Sequence, residues 1–257
     1  MNTYLNELFN LDGRVAAVTG AGGYLCSEMA RGFARAGCAV AVLDLRLEKA
    51  QAVEAELKAE GFEQVVALAI DVAKKEQHVA ALDAILARFG QLDILVNGAG
   101  TNGPTPFLDL SLEEWYSILD SQLTGTFLGC QVFGGYMVSR GKGTIINISS
   151  ASAGPPLSKA FTYSIAKAGI LNLTQNLGRE WGPRVCVSMP CGLASCPPTG
   201  TARTSLHPNA RRRYWVTPPW LALANRPNCW APLCGSLPMR PALLRALRSP
   251  LMVDFLV

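Results

Sequence analysis

Apolar and polar positions along the first 190 residues fall into two alternating patterns. Short runs that are apolar at almost every position predict buried strands: "RVAAVTGAGG", "AVAVLDL", "VVALAIDV", "LDILVNGAG", "GTIINISS" and "RVCVSMP". Longer stretches with helical spacing separate them. "YLCSEMARGFARAG" closes at Gly37, "LEKAQAVEAELKAEG" at Gly61 and "KEQHVAALDAILARFG" at Gly90, each glycine standing where a helix C-terminus needs one. Ser111 followed by Glu114 predicts a capping box opening a long helix that runs to about Val138. "FTYSIAKAGILNLTQNLGREW" predicts a further helix. Strands without a polar face, alternating with helices, imply a parallel sheet covered on both sides.

This is an α/β, Rossmann-like doubly wound parallel sheet in a single domain, 1–190, followed by an irregular tail, 191–257. Ligands of such sheets sit at the carboxyl ends of the strands, and the chain's chemistry lies there. "TGAGGYLC" joins the first strand to the first helix. Its Gly20, Gly22 and Gly23, with Tyr24 and Leu25 opening the helix, would let the backbone approach a pyrophosphate at a helix N-terminus. A glycine-rich turn is more often only a turn. Asp44 ends the second strand, where a carboxylate accepts ribose hydroxyls of NAD and repels the 2′-phosphate of NADP; its plainer reading is an acid at a helix N-terminus. Tyr163 and Lys167, at i and i+4, share a helix face. A phenol with a pKa of ~10 is a poor acid–base group at neutral pH. An ammonium ~4 Å away stabilises a phenolate by about 4 kcal/mol at an effective dielectric of ~20, against the cost of desolvation. Most Y-x3-K pairs are merely solvated helix faces. Ser149 and Ser150 add hydroxyls at the end of the fifth strand.

"TGAGGYLC", "LDL", "IDV", "VNGAG", "IINISS", "YSIAK" and "RVCVSMP", in this order and spacing, resemble the short-chain dehydrogenase/reductase family from about Phe9 to Pro190. The resemblance implies an NAD-preferring oxidoreductase, with NADP the lesser alternative. It implies Tyr163 as general acid/base, Lys167 on the nicotinamide ribose and Ser150 on the substrate. Asp71 and Val72 would lie at the adenine, Asn97, Gly98 and Ala99 along the adenine–ribose side, and Pro190 beside the nicotinamide. "GGYLCSEMA" and "QVFGGYM" are similar to a subgroup resembling D-mannonate oxidoreductase, which interconverts D-mannonate and D-fructuronate with NAD.

Three departures stand out. The family's glycine loop, T-G-x3-G-x-G, keeps only Gly20, with Tyr24 and Cys26 at the other two places. The family's fourth catalytic residue, an asparagine, is Gln122, which keeps the amide but moves it by one methylene. The third departure is the tail. These erode catalysis, so a non-catalytic Rossmann nucleotide-binding protein is the alternative reading.

Composition changes near residue 182. Residues 183–257 hold nine Arg, no Lys and one acid, together with twelve of the sixteen Pro. The net charge of +4 thus conceals −4 before that point and +8 after it. Taking the third base of each codon with the first two of the next, "CGLASCPPT" permits "RAGFLPAD". The stretch from Arg213 to Asn228 permits "ILGHTPMARLGEPPEL", and that from Cys229 onward "LGAALWLAADAASFVTGVTIAVDGGFS". Trp230 followed by Ala231, and Met252 followed by Val253, each force a glycine in that frame. The tail therefore reads as a frameshifted substrate loop and last strand, slipping near Pro190 to Leu193. "ARRRYW" is then a property of GC-rich DNA and no nucleic-acid site. Cys191/Cys196 and Cys229/Cys234, with His207, are spaced wider than the usual zinc pairs, and no metal is expected. "MNTYLNELFN" lacks the features of a signal peptide and no apolar run reaches ~18 residues, so a cytoplasmic protein is expected, away from membranes. The family is usually homo-oligomeric, which the altered tail would oppose.

Overall fold

The computed structural model describes residues 10–154, 159–182 and 184–188. The strands are β1 (Val15–Thr19), β2 (Ala39–Asp44), β3 (Val65–Ala69), β4 (Ile94–Asn97), β5 (Thr144–Asn147) and β6 (Cys186–Ser188). They form one sheet in the order β3-β2-β1-β4-β5-β6, and every pair is parallel. The order reverses between β1 and β4, which opens a crevice at their carboxyl ends. The expected doubly wound sheet is therefore present. The tail 191–257, Pro190 and the Cys/His pairs of the tail lie outside the described residues.

Period-two alternation divides β1 between two cores. Ala16 and Val18 pack with Val40 and Val42 under α1 (Tyr24–Arg35) and α2 (Leu47–Ala59), where Met29, Phe33, Ala50, Val53 and Leu57 meet them. Val15 and Ala17 face the opposite side with Leu43, Leu95 and Ile145. There α3 (Lys75–Phe89) and α4 (residues 112–140) supply Ile85, Phe133 and Met137. Gly37, Gly61 and Gly90 all take positive φ just past α1, α2 and α3, as their positions predicted.

Helix α4 spans 112–140 and is not uniform. It is α-helical over Leu112–Leu119, Gly125–Gly129 and Gly135–Arg140, and π-helical over Asp120–Thr124 and Cys130–Gly134. Its capping box is half made. Ser111 Oγ accepts from Glu114 N at 3.1 Å, but the Glu114 carboxylate accepts from Thr105 Oγ1 at 2.9 Å instead of returning to Ser111. The glycines of α4 set its distance from the sheet: a Cβ on Gly129 would lie 2.3 Å from Asn97 Oδ1. Helix α5 (Phe161–Trp181) packs against α4 and a short 3₁₀ turn, Ala151–Ala153, that follows β5. No helix among the described residues is long and apolar enough to cross a membrane.

Candidate active site

The β1–α1 loop sits over the crevice. Gly20 has φ +72°, and a Cβ there would fall 2.8 Å from Ala99 Cα, so the loop and the end of β4 touch through backbone. Gly22 N donates to Asp44 Oδ2 at 3.0 Å, and Arg46 N donates to Asp44 Oδ1 at 3.1 Å. The buried Asp44 carboxylate therefore braces the glycine loop from the end of β2. Gly23 is the N-cap of α1, Tyr24 begins it well exposed, and Leu25 packs at the rim of the core. Cys26 is buried, and Gly98 gives it room, since a Cβ on Gly98 would lie 2.4 Å from the Cys26 sulfur. That pairing of a thiol in the helix with a glycine in "VNGAG" is a signal the sequence carried but did not explain. Thr19 Oγ1 accepts from the backbone N–H of both Gly98 and Ala99, at 3.1 and 3.2 Å, tying β1 to β4.

Asp71 and Val72 follow β3. Asp71 Oδ1 accepts from Ala73 N at 3.1 Å and its other oxygen lies 3.5 Å from Lys74 Nζ. The Val72 side chain is buried against Gly125, and its carbonyl lies 2.8 Å from Nε2 of His78. Burial holds the His78 imidazole below its ordinary pKa, so it serves as a neutral donor to that carbonyl. The Asn97 side chain is buried. Its Nδ2 donates to Asn147 Oδ1 at 2.9 Å, Asn147 Nδ2 donates to Thr174 Oγ1 at 2.9 Å, and Thr174 donates to the Ile170 carbonyl. The ladder links β4, β5 and α5, and the Cys130 sulfur lies 3.5 Å from both amides.

Helix α5 carries Tyr163, partly exposed, and Lys167, buried. Lys167 Nζ stands 5.4 Å from the centre of the Tyr163 ring and donates to the Ile148 carbonyl at 2.7 Å. Burial pushes this ammonium down to about 8. Ser149 Oγ donates to the Lys167 carbonyl at 3.0 Å, which joins the end of β5 to the same turn of α5. Ser150 is the N-cap of the 3₁₀ turn Ala151–Ala153 that packs on α5. Ser150, Tyr163 and Lys167 are thus brought together by adjoining elements. Gln122 lies in the first π-helical turn of α4, which packs against α5. Its Nε2 donates to the Thr101 carbonyl at 2.8 Å, its Oε1 is buried against Gly100, and its own carbonyl accepts from Thr126 Oγ1 at 2.7 Å. A direct hydrogen bond between Gln122 and Lys167 is not among those of the described residues.

The buried ionisable groups set an alkaline limit. Desolvation raises the thiol of Cys26 to about 11 and those of Cys38 and Cys130 to about 12, from 9.0. Above pH 9 the unfolded chain therefore loses thiol protons that the folded chain retains, and stability falls as pH rises. Lys167 acts oppositely, because its folded value of about 8 lies below the unfolded 10.5 and stability rises between them. Each group contributes about 1.4 kcal/mol per pH unit, so three thiols outweigh one lysine by about 3 kcal/mol per unit near pH 10. Urea unfolding in reducing buffer at pH 8.5, 9.5 and 10.5 checks this. A midpoint that climbs throughout contradicts it.

A parallel doubly wound sheet with a glycine loop at its switch point and a Ser/Tyr/Lys group beyond β5 defines a nucleotide-dependent oxidoreductase class. The chain belongs to the short chain dehydrogenase family, whose model matches residues 14–205. It is 40% identical over 181 residues to D-threitol dehydrogenase of Mycolicibacterium smegmatis, covering 68% of this chain and 67% of that protein. It is 33% identical to 2-dehydro-3-deoxy-D-gluconate 5-dehydrogenase of Formosa agariphila, covering 68% and 66%. Among solved structures, a gluconate 5-dehydrogenase from Burkholderia cenocepacia J2315 in complex with NADP and tartrate aligns with a TM-score of 0.69 and 32% identity, over 73% of each chain. The chain spans about two thirds of the length of these curated relatives.

Proposed function

We propose that this chain is a nicotinamide-dependent oxidoreductase interconverting a secondary alcohol and a ketone on a polyol or sugar acid. The observation that carries the reading is Lys167: a buried ammonium one turn from Tyr163, held by the Ile148 carbonyl two residues before Ser150. In this reading Tyr163 gives or takes the proton of the substrate hydroxyl. Lys167 keeps positive charge beside the phenol and would hold the ribose, and Ser150 holds the substrate oxygen. A bound nicotinamide supplies or accepts the hydride. The residues present fit that group. Gly20 and Gly22 leave no space for a Cβ, and Gly23 caps the N-terminus of α1, the end of a helix that stabilises a pyrophosphate.

The names of the relatives support a polyol or sugar-acid substrate. D-mannonate and D-fructuronate are the particular pair we propose, on the stretches "GGYLCSEMA" and "QVFGGYM". NADH oxidation with D-fructuronate, 5-keto-D-gluconate and erythrulose tests the reading. Turnover of at least one is expected, with D-fructuronate leading. NADH binding without turnover of any would favour the non-catalytic nucleotide binder.

We also propose NAD over NADP. The braced Asp44 carboxylate puts fixed negative charge at the end of β2. A 2′-phosphate ~4 Å from it would be repelled by several kcal/mol at an effective dielectric of ~20. The expected result is a kcat/KM at least about tenfold higher with NAD. Asp44→Asn, which keeps an acceptor oxygen and removes the charge, should shrink that preference severalfold. Equal use of both cofactors by the unaltered chain would refute it. The tail is proposed to be the shifted reading of a family substrate loop and last strand. That the match covers about two thirds of the relatives' length supports this, and one extra or missing base near codon 191 of the coding DNA tests it.

A further inference from the structure

We propose that Ser152 is a positioning residue that makes Ser150 a hydrogen-bond donor and nothing else, so that the Ser150 proton is available to the reacting oxygen of the substrate. This rests on the oxidoreductase reading above. A serine hydroxyl has one proton to give and two lone pairs to receive with. Ser150 Oγ receives from Ser152 N at 3.2 Å and from Ser152 Oγ at 3.1 Å. Both lone pairs are thereby occupied by a single neighbour. Ser150 and Ser152 are both buried, so water does not compete for these positions.

The backbone imposes the arrangement. Ser150 is extended, with φ −148° and ψ 158°, and caps the 3₁₀ turn in which Ser152 is the middle residue. A residue without a hydroxyl at 152 would leave only the backbone N–H on Ser150 Oγ. The adjacent serine behaves differently, because Ser149 has spent its proton on the Lys167 carbonyl. Of the two serines ending β5, Ser150 is the one whose proton meets no acceptor among the described residues.

A donor-only Ser150 favours the electron-rich form of the substrate oxygen. In reduction Ser150 would polarise the carbonyl and Tyr163 would deliver the proton, with a bound reduced nicotinamide as the hydride source that balances C=O to HC–OH. In oxidation Tyr163 would take the hydroxyl proton, with a bound oxidised nicotinamide as the hydride acceptor that balances HC–OH to C=O. Ser150 retains its own proton in both directions. A serine still able to accept would instead also bind the neutral alcohol through its O–H and favour the unreacted state.

The test uses the full chain with Ser152→Ala and Ser152→Thr. Ser152→Ala is expected to lower kcat/KM for ketone reduction about five- to tenfold, mostly in kcat, with NADH affinity unchanged. Ser152→Thr, which restores a hydroxyl, is expected to recover most of it. A fall in thermal midpoint with kcat intact would mean that Ser152 is structural, and would overturn the proposal. A second measurement needs no turnover: the carbonyl ¹³C resonance of [2-¹³C]dihydroxyacetone with the chain and oxidised NAD. It is expected downfield of free ketone in the unaltered chain and less so in Ser152→Ala. No downfield shift in the unaltered chain overturns the assignment. A shift without any turnover leaves it standing while the proposed activity fails.

Discussion

Replacing Tyr163 with phenylalanine is expected to reduce turnover by about 10²- to 10⁴-fold, the span usual for removal of a positioned acid–base group. The NADH dissociation constant is expected to change less than about threefold, because the substitution removes only one oxygen. The ring remains, and the Lys167 ammonium still stands 5.4 Å from its centre and still donates to the Ile148 carbonyl. Loss confined to kcat is the signature of an interaction made in the transition state alone. Steady-state kinetics together with NADH fluorescence titration separate the two effects. Unimpaired turnover in Tyr163→Phe would remove the oxidoreductase reading of α5.

Lys167→Met is expected to move activity and stability in opposite directions. The ammonium donates to the Ile148 carbonyl and is buried, and desolvation by that burial lowers its pKa from 10.5 to about 8. A shift of that size means that holding the charge at pH 7 costs the fold about 3 kcal/mol. A methionine of similar length fills the space without a charge, but leaves the Ile148 carbonyl without its donor. The expected net gain is about 1–3 kcal/mol in the cofactor-free chain at pH 7, shrinking toward pH 10 as the lysine itself becomes neutral. Turnover is expected to fall at least about 10²-fold and NADH affinity to weaken as well, since both the phenol and the ribose lose the ammonium. Urea unfolding at pH 7 and pH 10 and the NADH titration read the two halves independently. A destabilised Lys167→Met at pH 7 would mean that the lysine is held by more than desolvation allows.

A group that costs the fold stability and serves the chemistry is ordinary at an active site. Tyr24 and Cys26 depart from the family's glycine loop, yet the close contact between helix and sheet survives because Gly98 yields to the Cys26 sulfur. The loop's approach to the end of β4 rests on Gly20 and Ala99, and its brace to β2 on Gly22 and Asp44. Neither contact involves the Tyr24 side chain, which is exposed.

Features with a local cause could be read along the chain. Runs such as "AVAVLD" could only be buried strands, because no polar face was available to water. Gly37, Gly61 and Gly90 ended helices because positive φ costs glycine nothing. Ser111 began α4 because its hydroxyl reaches the backbone N–H three residues on. The Tyr163–Lys167 pair was legible from a spacing of four on a helix. Tertiary structure alone decided the partners distant in sequence. Asn97, at the end of β4, gives its amide to two buried partners from other elements, Asn147 of β5 and Cys130 of α4. Gln122 kept the amide of the expected asparagine, but a π-helical turn and one extra methylene carried it to the Thr101 carbonyl. His78 was an unmarked helix residue until burial paired it with Val72. In each case the physical reason is the same: a buried polar group must find a partner, and periodicity along the chain does not say which strand or helix will bring it.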